Sequence, residues 1–230
     1  MRDHIDMPQG SADWSATRDR VETYFDRTAT RVWAALTSDA PVSRIRATVR
    51  AGRDQMRALM LSRLPADLTG ARVLDAGCGT GAMSVELAAR GAEVVGVDIA
   101  PNLVDIAQRR LPAHLAGSVH FVAGDMLSSS FGRFDAVVAM DSLIYYSQTD
   151  LLNALTTLAE RSPQTVFTVA PRTPVLMAMW HTGRLFPRAD RSPTMVPQSA
   201  ARLARALPGL RAVQRVTSGF YISQCMEHLS

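Results

Sequence analysis

The chain contains no lysine, and all 25 of its fixed cationic side chains are arginine. A planar guanidinium suits carboxylates and phosphates, although a biased genome composition leaves the same mark. Cysteine is nearly absent, with two in the chain, Cys78 and Cys225, which excludes an exported disulfide scaffold. No run reaches the roughly 18 apolar residues needed to cross a bilayer, and the first residues lack an apolar signal core, so a soluble cytoplasmic protein is expected. The arginines are spread out rather than gathered in a basic block interleaved with aromatics, which argues against nucleic acid as a partner. A net charge of +4 fits an anionic small molecule or an anionic membrane surface better. Internal repeats and low-complexity tracts are also missing.

What is present is periodicity. A chain of 230 residues suffices for one well-buried α/β domain with accessory helices. Residues 1–15, rich in Asp, Ser, Gly and Pro, show no period and are expected to be disordered; 16–230 form the single domain. Within it, 16–65 read as an N-terminal cap of two helices that could cover a ligand mouth. The first carries Val21, Tyr24, Phe25, Val32, Trp33 and Leu36; the second carries Val42, Ile45, Val49, Met56, Leu59 and Met60 up to Pro65. From residue 70 onward, strands near 71–76, 93–97, 118–123, 134–140 and 164–170 alternate with helices near 80–90, 101–111 and 149–161, the pattern of a doubly wound parallel sheet. Ser147 to Asp150 resembles a capping box, and Gly91 ends the first of those helices. Residues 173–195 interrupt the alternation as an insertion on the substrate side. A short helix near 197–206 then leads to strands at 210–217 and 219–228, joined tightly at Ser218-Gly219 and therefore antiparallel.

The run Arg72-Val73-Leu74-Asp75-Ala76-Gly77-Cys78-Gly79-Thr80-Gly81 reads as strand, glycine loop and helix start, and Val94-Val95-Gly96-Val97-Asp98 as the next strand. A dinucleotide fingerprint is spaced G-x-G-x-x-G, whereas here Gly77, Gly79 and Gly81 alternate and Asp75 stands two residues before the first. That spacing favours S-adenosylmethionine over NAD. Asp98 is placed for both ribose hydroxyls, and Asp75 with the glycine amides for the methionine end. After the third strand, Gly124-Asp125-Met126 offers a carboxylate to an adenine amino group, with Ile99 or Met126 flanking the ring. Asp141 closes the fourth strand at the carboxyl edge of the sheet, where ligands of this architecture collect. No protein metal site is expected.

Tyr24-Phe25-Asp26, Val49-Arg50-Ala51-Gly52-Arg53, Asp141-Ser142-Leu143-Ile144-Tyr145-Tyr146, Ala170-Pro171-Arg172-Thr173 and Gly219-Phe220-Tyr221-Ile222-Ser223 follow one another in an order that resembles the magnesium-protoporphyrin IX O-methyltransferase family, from about residue 20 to the C-terminus. The resemblance implies a Rossmann-like class I methyltransferase fold: a mostly parallel seven-stranded sheet with an antiparallel terminal hairpin and two extra N-terminal helices. It implies methyl transfer to one ring propionate of magnesium-protoporphyrin IX, giving the monomethyl ester in chlorophyll or bacteriochlorophyll synthesis, and the arginine and alanine usage leans to the latter branch. It further implies contact with the porphyrin-binding subunit of magnesium chelatase and a place at the cytoplasmic face of the photosynthetic membrane.

From the same resemblance, Tyr24 and Tyr145 are the catalytic candidates that position the reacting propionate, and Tyr146 lies at the substrate. The family often has a His-Tyr pair where this chain has Tyr145-Tyr146, so a histidine proton role does not carry over. A propionate of pKa about 4–5 is already ionised near neutrality and needs no strong base. Arg172, with Arg184, Arg188 and Arg191, is expected to anchor the non-reacting propionate, because a bidentate arginine on the reacting one would stabilise the ground state. Val175, Leu176, Met179, Trp180 and Gly183 share a helical face suited to a flat macrocycle, with Met179 and Trp180 as its adaptable contacts; an axial magnesium ligand at His181 is the weaker reading. Two alternatives stay open: a different acid, phenol or quinone precursor as acceptor, or a non-catalytic carrier of S-adenosylmethionine and porphyrin.

Overall fold

Short β-branched runs become strands where both faces of a sheet are covered, and seven do so in the computed structural model, which describes residues 44–174, 177 and 195–230. In chain order the elements are α1 (Arg44–Leu61), β1 (Arg72–Ala76), α2 (Ala82–Ala89), β2 (Glu93–Asp98), α3 (Pro101–Arg110), β3 (Ser118–Ala123), β4 (Ala136–Ala139), α4 (Gln148–Ala159), β5 (Gln164–Val169), α5 (Ala200–Ala206), β6 (Leu210–Ser218) and β7 (Tyr221–Leu229). The sheet order is β3-β2-β1-β4-β5-β7-β6. Strands β1 to β5 are parallel, and β7 runs antiparallel to both β5 and β6. The tail 1–15, the first cap helix with Tyr24, and Met179, Trp180, His181, Arg184, Arg188 and Arg191 lie outside the described residues. Among those described, no helix is long and apolar enough to cross a membrane.

Alternation along the strands sorts the core into two layers. Leu74, Val95, Val137 and Phe167 point to the face covered by Leu151, Leu155 and Leu158 of α4. Their neighbours Val73, Val94, Val138 and Val166 point to the other face, under Met56 and Met60 of α1 and Leu87 of α2. Each burial of a Leu or Val side chain stabilises by about 1.5–3 kcal/mol, so both layers are substantial. α4 begins at Ser147, whose hydroxyl accepts the Asp150 amide at 3.2 Å, the reading taken from its capping sequence.

Three details depart from the sequence reading. The second cap helix spans Arg44–Leu61 and lies on the sheet face across β6 and β7. A Cβ at Gly52 would stand 2.6 Å from the Tyr221 ring, so only a glycine lets helix and strand approach this closely. β4 starts at Ala136 rather than 134, because the Phe134 amide donates to the Arg161 carbonyl and its ring meets two guanidiniums, Arg72 at 4.5 Å and Arg161 at 5.6 Å. The β6–β7 connection is Gly219-Phe220, with Ser218 paired to Tyr221 inside the ladder. Gly219 has φ 57° as the first of two loop residues, which suits a type II′ turn.

The terminal hairpin is fastened by a buried acid. Glu227 on β7 is almost fully covered and accepts from Arg211 at 2.6 Å, Arg63 at 3.0 Å and Gln164 at 2.8 Å. Burial pushes its carboxyl up, but the hydrogen bonds from Arg211, Gln164 and Arg63 prevail and hold it below the ordinary range. Removing it takes away three hydrogen bonds to a carboxylate, while Arg63 and Arg211 stay partly solvated, so Glu227→Ala should cost about 1.5–3 kcal/mol, seen as a lower urea midpoint. Its contribution is present above the usual glutamate pKa and is lost as pH falls through the depressed folded value, so the gap between wild type and Glu227→Gln should narrow in acid.

Candidate active site

Strand order reverses at β1. The chain moves from β1 to β2 and β3 on one side and crosses to β4 and β5 on the other, which opens a crevice beyond the carboxyl ends of β1 and β4. A cavity occupies that crevice, lined by the glycine loop after β1, by Asp98 and Ile99 after β2, by Gly124, Asp125 and Met126 after β3, and by Asp141, Tyr145 and Tyr146 after β4.

The glycines of the loop do different things. All three have positive φ: 82° at Gly77, 54° at Gly79 and 84° at Gly81. A Cβ at Gly77 would strike Ser142 at 2.2 Å, and one at Gly81 would strike Phe121 at 2.7 Å, so these two allow close packing. A Cβ at Gly79 would meet nothing within 4 Å, which makes this the stretch of backbone that a ligand can approach. In the described structure the amides of the loop also have partners within the protein. Gly77 and Cys78 donate to the Val97 carbonyl, Gly81 to the Cys78 carbonyl, and Gly79 to Asp98 at 2.8 Å. With those N–H groups used inside the protein, the loop presents shape and carbonyl oxygens.

Of the acids of the cavity, Asp75 is buried and Asp98, Asp125 and Asp141 are half-buried. Asp75 is 1 % exposed and accepts from the Ser84 hydroxyl at 2.5 Å. Burial raises its carboxyl from 3.8 to about 7, and the negative Asp98 nearby adds to the rise while Ser84 opposes it. Asp98 accepts the Gly79 and Ala100 amides at 2.8 and 2.9 Å, one on each oxygen, which fixes its plane and leaves a lone pair on each for further hydrogen bonds. Burial pushes it up as well, against those amides. Asp125 is held by the Leu127 amide at 2.8 Å. Such a cluster favours a ligand that brings positive charge.

Asp141 is the one described non-glycine residue with positive φ, 58°. Its carboxylate accepts from Arg53 of α1 at 2.6 Å, from the Tyr221 hydroxyl at 3.1 Å and from Thr168 at 3.1 Å, while its own amide donates to Thr168 at 2.7 Å. The Tyr221 hydroxyl is pushed far up by burial and by the neighbouring Asp141 charge, and stays a neutral donor. Sequence reasoning gave Arg53 and Tyr221 no role, although both lie in quoted stretches; a helix, a strand and a left-handed turn distant in sequence meet there. Tyr145 and Tyr146, both buried, line the same cavity. Arg172 does not: it is exposed on the loop after β5, its backbone amide bound to Gln198, so among the described residues the cations at the cavity are Arg53 and Arg57.

A sheet of this order, with a glycine loop after its first strand and an acid ending its second, defines a class I S-adenosylmethionine-dependent methyltransferase. Residues 73–161 match the methyltransferase domain model, and residues 139–230 match the model described as magnesium-protoporphyrin IX methyltransferase C-terminus. The chain is 58 % identical over 94 % of its length to the magnesium-protoporphyrin O-methyltransferase of Rhodobacter capsulatus, covering 98 % of that protein. It is 29 % identical over 90 % of its length to the enzyme of the same name from a Synechocystis species, covering 94 % of it. The crystal structure of magnesium protoporphyrin IX methyltransferase from Synechocystis with bound S-adenosylhomocysteine superposes with a TM-score of 0.75 at 26 % identity, over 94 % of this chain and 99 % of that one. The chain belongs to the magnesium-protoporphyrin O-methyltransferase family.

The state of Asp75 sets a stability profile for the ligand-free protein. The folded state keeps a proton up to about pH 7 that the unfolded chain releases near 3.8, so stability falls as pH rises across that window. Asp75→Asn should therefore raise the melting temperature relative to wild type at pH 8 and lose that advantage by pH 4, as read by differential scanning calorimetry.

Proposed function

We propose that this chain transfers the methyl group of S-adenosylmethionine to one propionate carboxylate of magnesium-protoporphyrin IX, forming the monomethyl ester in bacteriochlorophyll or chlorophyll synthesis. The observation that carries this reading is the 58 % identity across almost the whole of both chains to the Rhodobacter capsulatus enzyme of that name. The cavity fits the donor. Gly79 leaves open space beside its backbone, and the half-buried Asp98 has its carboxylate already aligned by backbone amides.

In this reading Asp98 receives the ribose hydroxyls, Asp125 receives the adenine amine, and Ile99 and Met126 flank the ring. Asp75 faces the methionine end. When bound, the donor supplies a methyl group made electrophilic by its sulfonium. The residues around it contribute position and dryness rather than proton abstraction. Tyr145 is 8 % exposed, and its hydroxyl orients the ionised propionate by hydrogen bonding without removing a proton. Joining an anion to a cation disperses both charges, so a site walled by Met83, Leu103, Met126 and Met140 that excludes water favours the transfer. Tyr24, Met179 and Trp180 remain the candidates on the acceptor side, and Tyr146 borders the same space from its place in the core.

Incubation with S-adenosylmethionine and magnesium-protoporphyrin IX should add a single methyl mass to the porphyrin; a protein that binds donor yet leaves the porphyrin unchanged would overturn the assignment. Tyr145→Phe should lower kcat about 10- to 100-fold with donor affinity unchanged, the loss expected for one positioning hydrogen bond that strengthens in the transition state.

A further inference from the structure

Tyr145 ends a short 3₁₀ turn, Leu143–Tyr145, between β4 and α4, and lines the cavity. The turn is closed by the Tyr146 amide on the Leu143 carbonyl at 3.2 Å. A single 3₁₀ turn has little stability of its own, so its neighbours decide where its side chains point. The carbonyls on either side of Tyr145 show which neighbours these are. The Ile144 carbonyl accepts the Val196 amide at 2.8 Å, and the Tyr146 carbonyl accepts the Gln198 side-chain amide at 3.0 Å. Two hydrogen bonds from one extended segment therefore bracket the tyrosine.

That segment is itself held from behind. Gln198 is 3 % exposed; its backbone amide donates to the Ala170 carbonyl at 2.7 Å and its carbonyl accepts the Arg172 amide at 3.0 Å, a parallel bridge to Pro171 after β5. Ser199 then caps α5, and Leu203 of that helix is fully buried in the layer that also holds Tyr146. Pro197, between the two donors, fixes φ and helps to keep the segment extended. With the backbone of Gln198 committed to the loop after β5, it is the side chain that reaches the turn after β4. One buried amide thus ties together the two loops at the carboxyl edge of the sheet.

We propose that Gln198 is a positioning residue for the methyl transfer: by holding the Tyr146 carbonyl it sets the Tyr145 hydroxyl against the acceptor carboxylate. The inference rests on the role given to Tyr145 above. An amide suits the task because it donates to a carbonyl without bringing charge. A lysine or arginine in its place would put a cation near the ionised propionate and favour the ground state over the transition state. A buried carbonyl stripped of its donor is costly, so the turn has a strong reason to stay where the Gln198 side chain meets it. Gln198 also follows directly on the substrate-side insertion, so the end of that insertion and the Tyr145-Tyr146 turn meet at one side chain.

A double-mutant cycle tests this on the full chain, with kcat for magnesium-protoporphyrin IX as the readout. Wild type, Tyr145→Phe, Gln198→Met and the double variant are compared; methionine keeps the length of glutamine and donates nothing. Gln198→Met should lower kcat about tenfold when Tyr145 is present and less than about twofold in the Tyr145→Phe background. Calorimetric affinity for S-adenosylhomocysteine should stay within about twofold throughout, which reports an intact donor crevice. Equal losses of kcat in the two backgrounds would mark a diffuse structural effect and overturn the inference, as would an unchanged kcat or a loss of S-adenosylhomocysteine affinity as large as the loss of kcat. Should Gln198→Met not fold, Gln198→Asn is the milder variant: it keeps the amide one methylene short of the carbonyl, and its loss should depend on the Tyr145 hydroxyl in the same way. A wild type that binds donor and leaves the porphyrin unmethylated would instead sink the reaction itself, and this inference with it.

Discussion

The contact between Arg53 and Asp141 joins the helix before the sheet to the turn at the switch point of the cavity. Arg53 rides on α1, which arrives before the sheet begins; Asp141 sits at the end of β4, in a backbone conformation that costs an aspartate about 1 kcal/mol or more. The surroundings over-determine it, with Thr168 on β5 and Tyr221 on β7 both donating to the same carboxylate. Gly52 brings the helix against Tyr221, and Ser218 donates to the Thr48 carbonyl at 2.9 Å, so the hairpin, the helix and the switch-point turn are set together. The last two strands therefore take part in shaping a site whose glycine loop lies far from them in sequence.

The electrostatic character of the crevice follows from burial. Burial makes ionisation costly and raises the carboxyls of both Asp75 and Asp98, and the Asp98 charge adds to the rise at Asp75. A sulfonium and an ammonium relieve that cost, which gives the site selectivity for a positively charged ligand. The same low polarity favours a reaction in which opposite charges cancel. One choice of environment thus serves both recognition and rate.

Local signals carried far in this chain, and long-range ones did not. Asp75, the alternating glycines and Asp98 were legible because strand, turn and helix start are consecutive, and the turn needs glycine for reasons contained within ten residues. The sheet was legible from apolar runs, and the resemblance supplied its seven mostly parallel strands with an antiparallel terminal hairpin. Arg53 and Tyr221 were not legible as a pair, because their meeting depends on α1 crossing β6 and β7, which no period in either segment encodes. Arg172 drew attention as a cation next to a strand end, but the sequence carries no sign of which way a loop side chain faces. The partners of the glycine-loop amides were not legible for a related reason: Val97 and Asp98 lie on the neighbouring strand.

At the opposite rim of the sheet, the Phe134 ring meets the guanidiniums of Arg72 and Arg161. The edges of those guanidiniums donate to carbonyls of the loop before β4: Arg72 to Phe131 and Arg133, Arg161 to Gly132 and Leu127. A guanidinium is flat, so it can lie on a ring with its face and bind several acceptors with its perimeter at once. An ammonium is round and has no face to offer. In a chain without lysine this joint is one that lysine does not fit, and a charge-conserving exchange at Arg72 or Arg161 would not be a neutral step.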